Sequence, residues 1–487
     1  MKTVFLLSFL TIIAFSKLFA QLPPPSQQIQ NEIQTQINDY KNALLVQNNI
    51  NVPGMMLKIL KVGEWEYTWK NGLSNLENNI PLTNNQSFRI GDISQTFLAV
   101  AVFKLVQNNQ INLSDYITSW LPLSVTSLIP NASSITIKQL LQQSSGIRNN
   151  FEATIVNGDP TAPPILVQWY TDNFLSNFSF NDIMNYYASN NAATSLPNNQ
   201  FIDVSGINYL LLGKIIQNCS GLTWQQYIQQ NIILPLNLTN TFCPNDNDIS
   251  LPSNFMSGYE DLTPPNSSTP DILNYTIMNT SIYKSSREVI SNLDDLIIFW
   301  KSVKENVILP QNLSSLLQNC TLTIENDTSD NPIKFGLSCE EFKESMYEGQ
   351  DWIGKLGVIE GFSSGMVYLP KYNAYMTAVA NYGGPIAMML MASVDIYINN
   401  FFLSNNNFEE NNKFNVYPNP ATDLITINSK NAIEEIKIYD VLGRIVYSEN
   451  KINELEMNID VSNFNKGNYF IKFKSDGKIS TQRLIKN

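Results

Sequence analysis

Thr96 to Val106, TFLAVAVFKLV, is apolar nearly all round, and it sits inside a helical pattern that runs from Asp92 to about Gln107. A helix with no polar face has to be enclosed on every side, so this segment demands a layered fold around it. Phe88-Arg89-Ile90-Gly91 leads into it, and that strand-to-helix step is a candidate site. Upstream, Ile29, Ile33, Ile37, Tyr40 and Leu44 recur at helical spacing within Gln27 to Gln47. Met55 to Leu60 and Trp65 to Lys70 then read as two strands of a hairpin turning at Val62-Gly63-Glu64. Trp65, Tyr67 and Trp69 on the second strand are expected to pack in the core and at its edge. From about Ile111 to Leu309 helical patterns alternate with loops rich in Asn, Pro and Ser, such as Asn157 to Pro164 and Pro264 to Pro270. Strand patterns return at Ile333 to Ser338, Ser364 to Leu369 and Ala374 to Asn381, followed by a helix from Pro385 to about Phe401. The expectation is one sheet built from both chain ends, flanked by helices, with a helical subdomain between.

Residues 403–413, LSNNNFEENNK, are polar and aperiodic and read as a linker between a main domain at 21–402 and a tail at 414–487. In the tail the period changes to two. Leu424 to Asn428, Glu435 to Tyr439, Ile445 to Ser448, Glu456 to Val461, Asn468 to Lys474 and Lys478 to Ile485 alternate, with turns at Gly443, Gly467 and Asp476-Gly477. This predicts a small all-β, immunoglobulin-like sandwich. At the other end, residues 1–20 combine Lys2, the apolar run VFLLSFLTIIAF and a small residue before Gln21, the layout of a cleaved secretory signal. The run is shorter than the roughly 20 residues a spanning helix needs, and Lys17 interrupts it. Asp395 likewise breaks the apolar stretch from Ile386 to Phe402, so no transmembrane helix is expected in the mature chain.

The chain contains no histidine, which excludes Ser-His-Asp and Cys-His catalysis and His-based metal sites. Acid–base chemistry would fall to Lys, Tyr, Asp or Glu. Lys+Arg number 30 against Asp+Glu 42, a net charge of -12 that argues against a nucleic-acid partner. Neither a phosphate-binding glycine loop nor cysteine pairs at zinc spacing occur, so no cofactor or metal is implied. Cys219, Cys243, Cys320 and Cys339 are disulfide candidates in an exported chain, and their order suggests Cys219 with Cys243 and Cys320 with Cys339.

Three tail segments occur in order: VYPNPATDLITI (Val416 to Ile427), IYDVLGRIVYS (Ile438 to Ser448) and GNYFIKF (Gly467 to Phe473), with QRLIKN closing the chain. Together they resemble the type A sorting domain of the Bacteroidetes type IX secretion system. The resemblance implies a partner in that machinery, passage across the outer membrane, removal of the domain, and release or attachment at the cell surface. Without it, the residues support only a β-sandwich, adhesive and carbohydrate-binding modules included.

In the main domain, FRIGDISQTFLA (Phe88 to Ala99), ITIKQLLQQSSGI (Ile135 to Ile147), NYLLLGKII (Asn208 to Ile216) and GKLGVIEGFSSG (Gly354 to Gly365) resemble the β-lactamase-related family of serine β-lactamases, DD-peptidases and esterases. The resemblance implies an α/β (α+β) domain with an antiparallel sheet. It also implies a Ser-x-x-Lys motif opening the buried helix, where spacing of three puts both side chains on one face. Those positions hold Asp92 and Gln95 here. The family's Tyr-x-Asn maps to Val204-Ser205-Gly206, and its Lys-x-Gly survives as Lys355-Leu356-Gly357. Loss of the nucleophile alone costs on the order of a millionfold in turnover. The family's oxyanion hole would be the backbone N–H groups of Asp92 and Val358, where a carboxylate at Asp92 opposes a developing oxyanion.

Ser94 is a weak replacement nucleophile, since two residues along a helix rotate about 200° away from the face of Asp92. Asp92 as a covalent nucleophile lacks a second carboxylate at a recognisable spacing, which favours a helix N-terminal role. The expectation is an Asp92–Lys355 ion pair across the former site. The candidate ligand pocket is then Asp92, Gln95, Ser205, Lys355 and Val358, open to a small polar, zwitterionic or peptide-like ligand. Three functions fit the sequence: an exported non-catalytic binding protein, an active esterase, peptidase or β-lactamase-like hydrolase with a relocated nucleophile, and an adhesive surface protein.

Overall fold

The computed structural model describes residues 22–487, apart from 149–153, 157–158, 162–164, 166–167, 170–171, 173, 190–195, 199, 262–270, 325–332, 344–350, 406–413, 441–443 and 476–477. The signal at 1–20, most of the linker, and the turns at Gly443 and Asp476-Gly477 therefore lie outside the described residues.

Helix α1 (Gln27–Asn48) opens where the Ser26 hydroxyl accepts the Ile29 N–H, and it closes on Asn49 in the left-handed region. Strands β1 (Gly54–Lys61), β2 (Trp65–Asn75) and β3 (Ile80–Pro81) follow, and then the buried helix α2 (Ile93–Gln107). The helical region contributes α3 (Gly206–Ser220) and α4 (Leu293–Lys304). The chain returns through β4 (Lys334–Phe335), β5 (Glu340–Phe342), β6 (Trp352–Ile359), β7 (Phe362–Leu369) and β8 (Ala374–Ala380) to α5 (Ile386–Asn405). Among the described residues these strands form one antiparallel sheet in the order β4-β5-β6-β7-β8-β1-β2-β3, so both chain ends do meet, at β8 and β1.

Strand β1 shows how the period of two sorts side chains between two cores. Met55, Leu57 and Ile59 join Ile33, Ile37 and Tyr40 of α1 and Leu390 and Met391 of α5 on one face. Met56 and Leu60 join Phe97 of α2 and Phe299 of α4 on the other, where the two phenyl rings stack 3.7 Å apart. Each such fully buried side chain contributes about 1.5–3 kcal/mol. Trp65 and Trp69 are buried with Tyr67 packed beside them, the structural role expected of this strand. Every residue of α2 from Ile93 to Phe103 is buried, enclosed by the sheet on one side, by α4 packed on the sheet beside it, and by α3 and the segments 224–233 and 284–286.

The tail forms β9 (Asn415–Tyr417), β10 (Leu424–Asp440), β11 (Ile445–Asp460), β12 (Gly467–Ser475) and β13 (Lys478–Lys486). The strands expected at 424–428 and 435–439 are two halves of one long strand, bent by register shifts between Asn428 and Glu435. Its first half pairs with β9 and its second with β12, while β11 follows it along the other edge. This curls the sheet around Val416, Ile425, Ile427, Ile436, Ile438, Ile471, Phe473 and Leu484, in keeping with an all-β sandwich.

The expected disulfides are not formed: all four cysteines are free thiols. Cys219, near the end of α3, sets its sulfur 4.0 Å from the carbonyl oxygen of Gln110 rather than on Cys243. Cys320 and Cys339 do meet, but as hydrogen-bonded thiols, and that contact together with burial pushes the Cys320 thiol up.

Candidate functional site

Two glycines bring the site's backbone together. A Cβ on Gly357 of β6 would lie 2.1 Å from the carbonyl oxygen of Ile90, and Gly91, at φ 54°, would press a Cβ within 2.7 Å of the Val358 backbone. Neither position accepts a larger residue. The Ser364 hydroxyl of β7 donates to the Ile90 carbonyl at 3.0 Å and fixes the approach. The first residue of the buried helix is thereby set against the Val358 N–H.

Asp92 occupies the N-cap position of α2, the helix N-terminal place expected of it, and its carboxylate makes no hydrogen bond to the helix's own first-turn N–H groups. Oδ1 accepts from Gln95 Nε2 and from Arg287 Nε, each at 2.8 Å, and Oδ2 accepts from the Val358 N–H at 3.3 Å. The Arg287 guanidinium also lies over the Tyr283 ring at 5.5 Å. Gln95 is further held by Ser286 Oγ at 3.4 Å. Ser94 is fully buried, and its hydroxyl accepts the Val289 N–H at 3.1 Å, so it faces away from the site.

The expected Asp92–Lys355 pair is not formed, because each charge has a nearer partner. Lys355 Nζ lies 2.5 Å from Glu340 Oε1, and Glu340 Oε2 also accepts the Leu356 N–H at 3.3 Å. Glu340 reaches it from β5, where it stands opposite Gly354. Burial alone would lower the Lys355 pKa, but Glu340, Asp92 and Tyr209 outweigh it and hold the ammonium above its ordinary value. A lysine held charged in this way has no lone pair to offer as a base. Tyr209 is buried as well, its hydroxyl donating to the Leu141 carbonyl at 2.7 Å. Burial, the leading cause, and the nearby carboxylates raise its pKa.

The remaining positions have structural partners. The Ser205 N–H donates to Gln143 Oε1 at 3.0 Å and its hydroxyl to the Arg148 carbonyl at 3.2 Å. Gln143 Oε1 also accepts from Asn208 Nδ2. Gln139 completes a capping box with Thr136 and reaches the Asn198 carbonyl. Val204 is exposed, and Gly206 opens α3.

Beside Asp92 a cleft of about 530 Å³ opens, lined by Phe174, Glu260, Leu273, Tyr275, Arg287, Val358, Ile359 and Glu360. Of the sequence-predicted pocket residues, only Val358 lines it directly. Asp92 and Gln95 stand behind Arg287, Lys355 is turned to Glu340, and Ser205 is bonded elsewhere. Sequence reasoning missed Arg287, Glu340, Glu260 and Glu360, which carry no motif. The one available signal was for Glu360, which lies inside the GKLGVIEGFSSG segment. Among the described residues no cluster of three or more Cys, Asp or Glu side chains is arranged to hold a metal ion, and no helix is long and apolar enough to cross a membrane.

The family model described as Beta-lactamase matches residues 42–394, and that described as Secretion system C-terminal sorting domain matches residues 415–487. Protein flp of Staphylococcus aureus (strain MRSA252) is 24% identical over 380 residues, spanning 77% of this chain and 68% of its own. A Beta-lactamase of Escherichia coli (strain K12) is 24% identical over 358 residues, covering 69% of this chain and 85% of its own. Among solved structures, the D-amino acid amidase from Ochrobactrum anthropi SV3 complexed with L-phenylalanine amide superposes with a TM-score of 0.63 at 19% identity, over 78% of this chain and 99% of that one. The penicillin binding protein from Bacillus halodurans gives 0.60 at 18% identity, over 75% and 99%.

Proposed function

Since the chain belongs to the beta-lactamase family, with a sorting tail that directs it through the type IX system to the cell surface, we propose that it is an exported binding protein whose former catalytic centre no longer performs acyl transfer. One observation carries this reading. The Asp92 carboxylate, fixed by Arg287 and Gln95, already accepts the Val358 N–H on which the family's oxyanion would be stabilised. An acyl-transfer site needs that donor free, a nucleophile beside it and a neutral base. Here the nucleophile position carries a paired carboxylate, the base position carries an amide, and Lys355 stays protonated against Glu340. The named relatives include an amidase and a β-lactamase, whereas the positions at which the family resemblance implies Ser and Lys hold Asp92 and Gln95 in this chain. The cleft beside Arg287 remains and supports a ligand-binding role.

Intact-mass measurement of the mature protein after incubation with a fluorophosphonate and with benzylpenicillin tests this reading. The expected spectrum is unchanged. A stoichiometric adduct with either reagent would overturn the proposal and restore the active-hydrolase alternative.

A further inference from the structure

The cleft's charge is unevenly balanced. At its inner end Arg287 is paired with Asp92, so neither charge is left over for a ligand. On its outer wall Glu260 Oε2 accepts the Gly361 N–H at 3.0 Å, and the charges that act most on this carboxylate are Glu360 and Asp261, both of its own sign. Burial first, and then these neighbours, push the Glu260 carboxyl up. Glu360 stands at the tip of the β6–β7 hairpin. Its carboxylate accepts the Tyr283 hydroxyl through Oε1, while Oε2 is shielded from solvent and has no partner among the described residues. Arg89 and Arg287 lie close enough to act on Glu360. However, Arg89 donates to the carbonyls of Thr276 and Met278 and lies over the Phe255 ring, and Arg287 is held by Asp92.

The two carboxylates are held in place. The hairpin tip is tied to the strand at Tyr259–Asp261 by the Tyr259 N–H to Gly361 carbonyl bond at 3.3 Å and by the Glu260 bond to Gly361. Beside them the cleft wall is apolar and aromatic, with Leu273 the register partner of Glu260 on the neighbouring strand. Phe174 and Tyr275 pack with ring centroids 4.3 Å apart, and Leu273 lies beside them. An orphaned buried carboxylate oxygen, a second carboxylate with only like-charged neighbours, and a pair of aromatic rings are complementary to a cation and not to an anion.

We propose that this cleft takes a ligand with an ammonium or guanidinium group on an apolar or aromatic body, the cation seated between Glu260 and Glu360 and the body lying on Phe174, Leu273 and Tyr275. The proposal rests on the reading of the site as a binding pocket. It goes further in naming the charge of the ligand and the side chains that select it. An anionic ligand would face both glutamates and would have to displace Asp92 from Arg287.

Calorimetric titration of the mature chain with phenethylamine, its neutral analogue 2-phenylethanol and the anion phenylacetate tests the proposal. The amine should bind about tenfold or more tighter than the alcohol, and the anion should give no binding. Glu260→Gln and Glu360→Gln should each weaken the amine about tenfold, and by more than they weaken the alcohol. Equal affinity for amine and alcohol, preference for the anion, no binding of the amine, or two inert glutamine variants would each overturn it. The comparison of the three probes needs only the unaltered protein, so a variant that fails to fold does not decide the matter. A fluorophosphonate adduct in a protein that still selects the amine would refute the non-catalytic reading and leave the cation site standing. Loss of selectivity without an adduct would do the reverse.

Discussion

Replacing Asp92 by Asn removes the charge that faces Arg287 and leaves one side-chain oxygen where the carboxylate has two, so an amide N–H faces either the Val358 N–H or the Gln95 and Arg287 donors. The Asp92 and Arg287 side chains are 17% and 18% exposed, so the pair is mostly but not wholly withdrawn from water. Breaking a fully buried pair by removing one member costs about 3–5 kcal/mol, whereas a surface pair is worth about 0–1 kcal/mol. Partial exposure and the Tyr283 ring, which stays beside the guanidinium, place the expected loss for Asp92→Asn at about 2 kcal/mol. Urea unfolding followed by the fluorescence of buried tryptophans such as Trp69, Trp300 and Trp352 reads this directly. A double-mutant cycle with Arg287→Gln isolates the pair, with an expected coupling of about 1–2 kcal/mol. If Asp92→Asn matches the parent protein and the cycle shows no coupling, the carboxylate is not locked in place, and the argument that it closes the oxyanion position collapses.

Two further outcomes follow from other parts of the molecule. Burial, opposed mainly by Lys284, raises the Glu288 carboxyl from 4.5 to about 8, so the folded state holds this proton more tightly than the unfolded chain. That stabilisation is complete below about pH 4.5 and is lost as pH rises through about 8, by a few kcal/mol at roughly 1.4 kcal/mol per unit. Glu288→Gln keeps an acceptor for Thr280 and should flatten the decline in the urea midpoint between about pH 4.5 and 8; an unchanged slope would contradict this assignment. Deleting residues 414–487 should leave the main domain folded but retained inside the outer membrane, as judged by protease protection in intact cells; a truncated protein still digested at the surface would contradict the sorting role.

The backbone was more legible in the sequence than the site. Helix α1, the first hairpin, α2 and the chain-end strands each announce themselves by period, because burial on one face or on all faces writes a pattern into contiguous residues. A strand of three residues such as β5 writes no pattern, and Glu340 was hidden for that reason. Opposite charges at Asp92 and Lys355 invited a pairing, but sequence carries no distance, and Arg287 and Glu340 lie nearer. In the tail the alternation located the strands but not the bends, so each long strand read as two short ones. Cys320 and Cys339, paired by their order along the chain, do lie in contact, as free thiols.

The contact between Asp92 Oδ2 and the Val358 N–H makes the helix terminus a tethered competitor for its own anion site. A carboxylate fixed to the backbone acts at a high effective concentration, so an acid or acylating agent has to displace it and its apparent affinity for this position is lowered accordingly. On the proposed reading a single substitution does not restore acyl transfer, since removing the tether frees the donor without supplying a hydroxyl to attack or an amine to receive its proton.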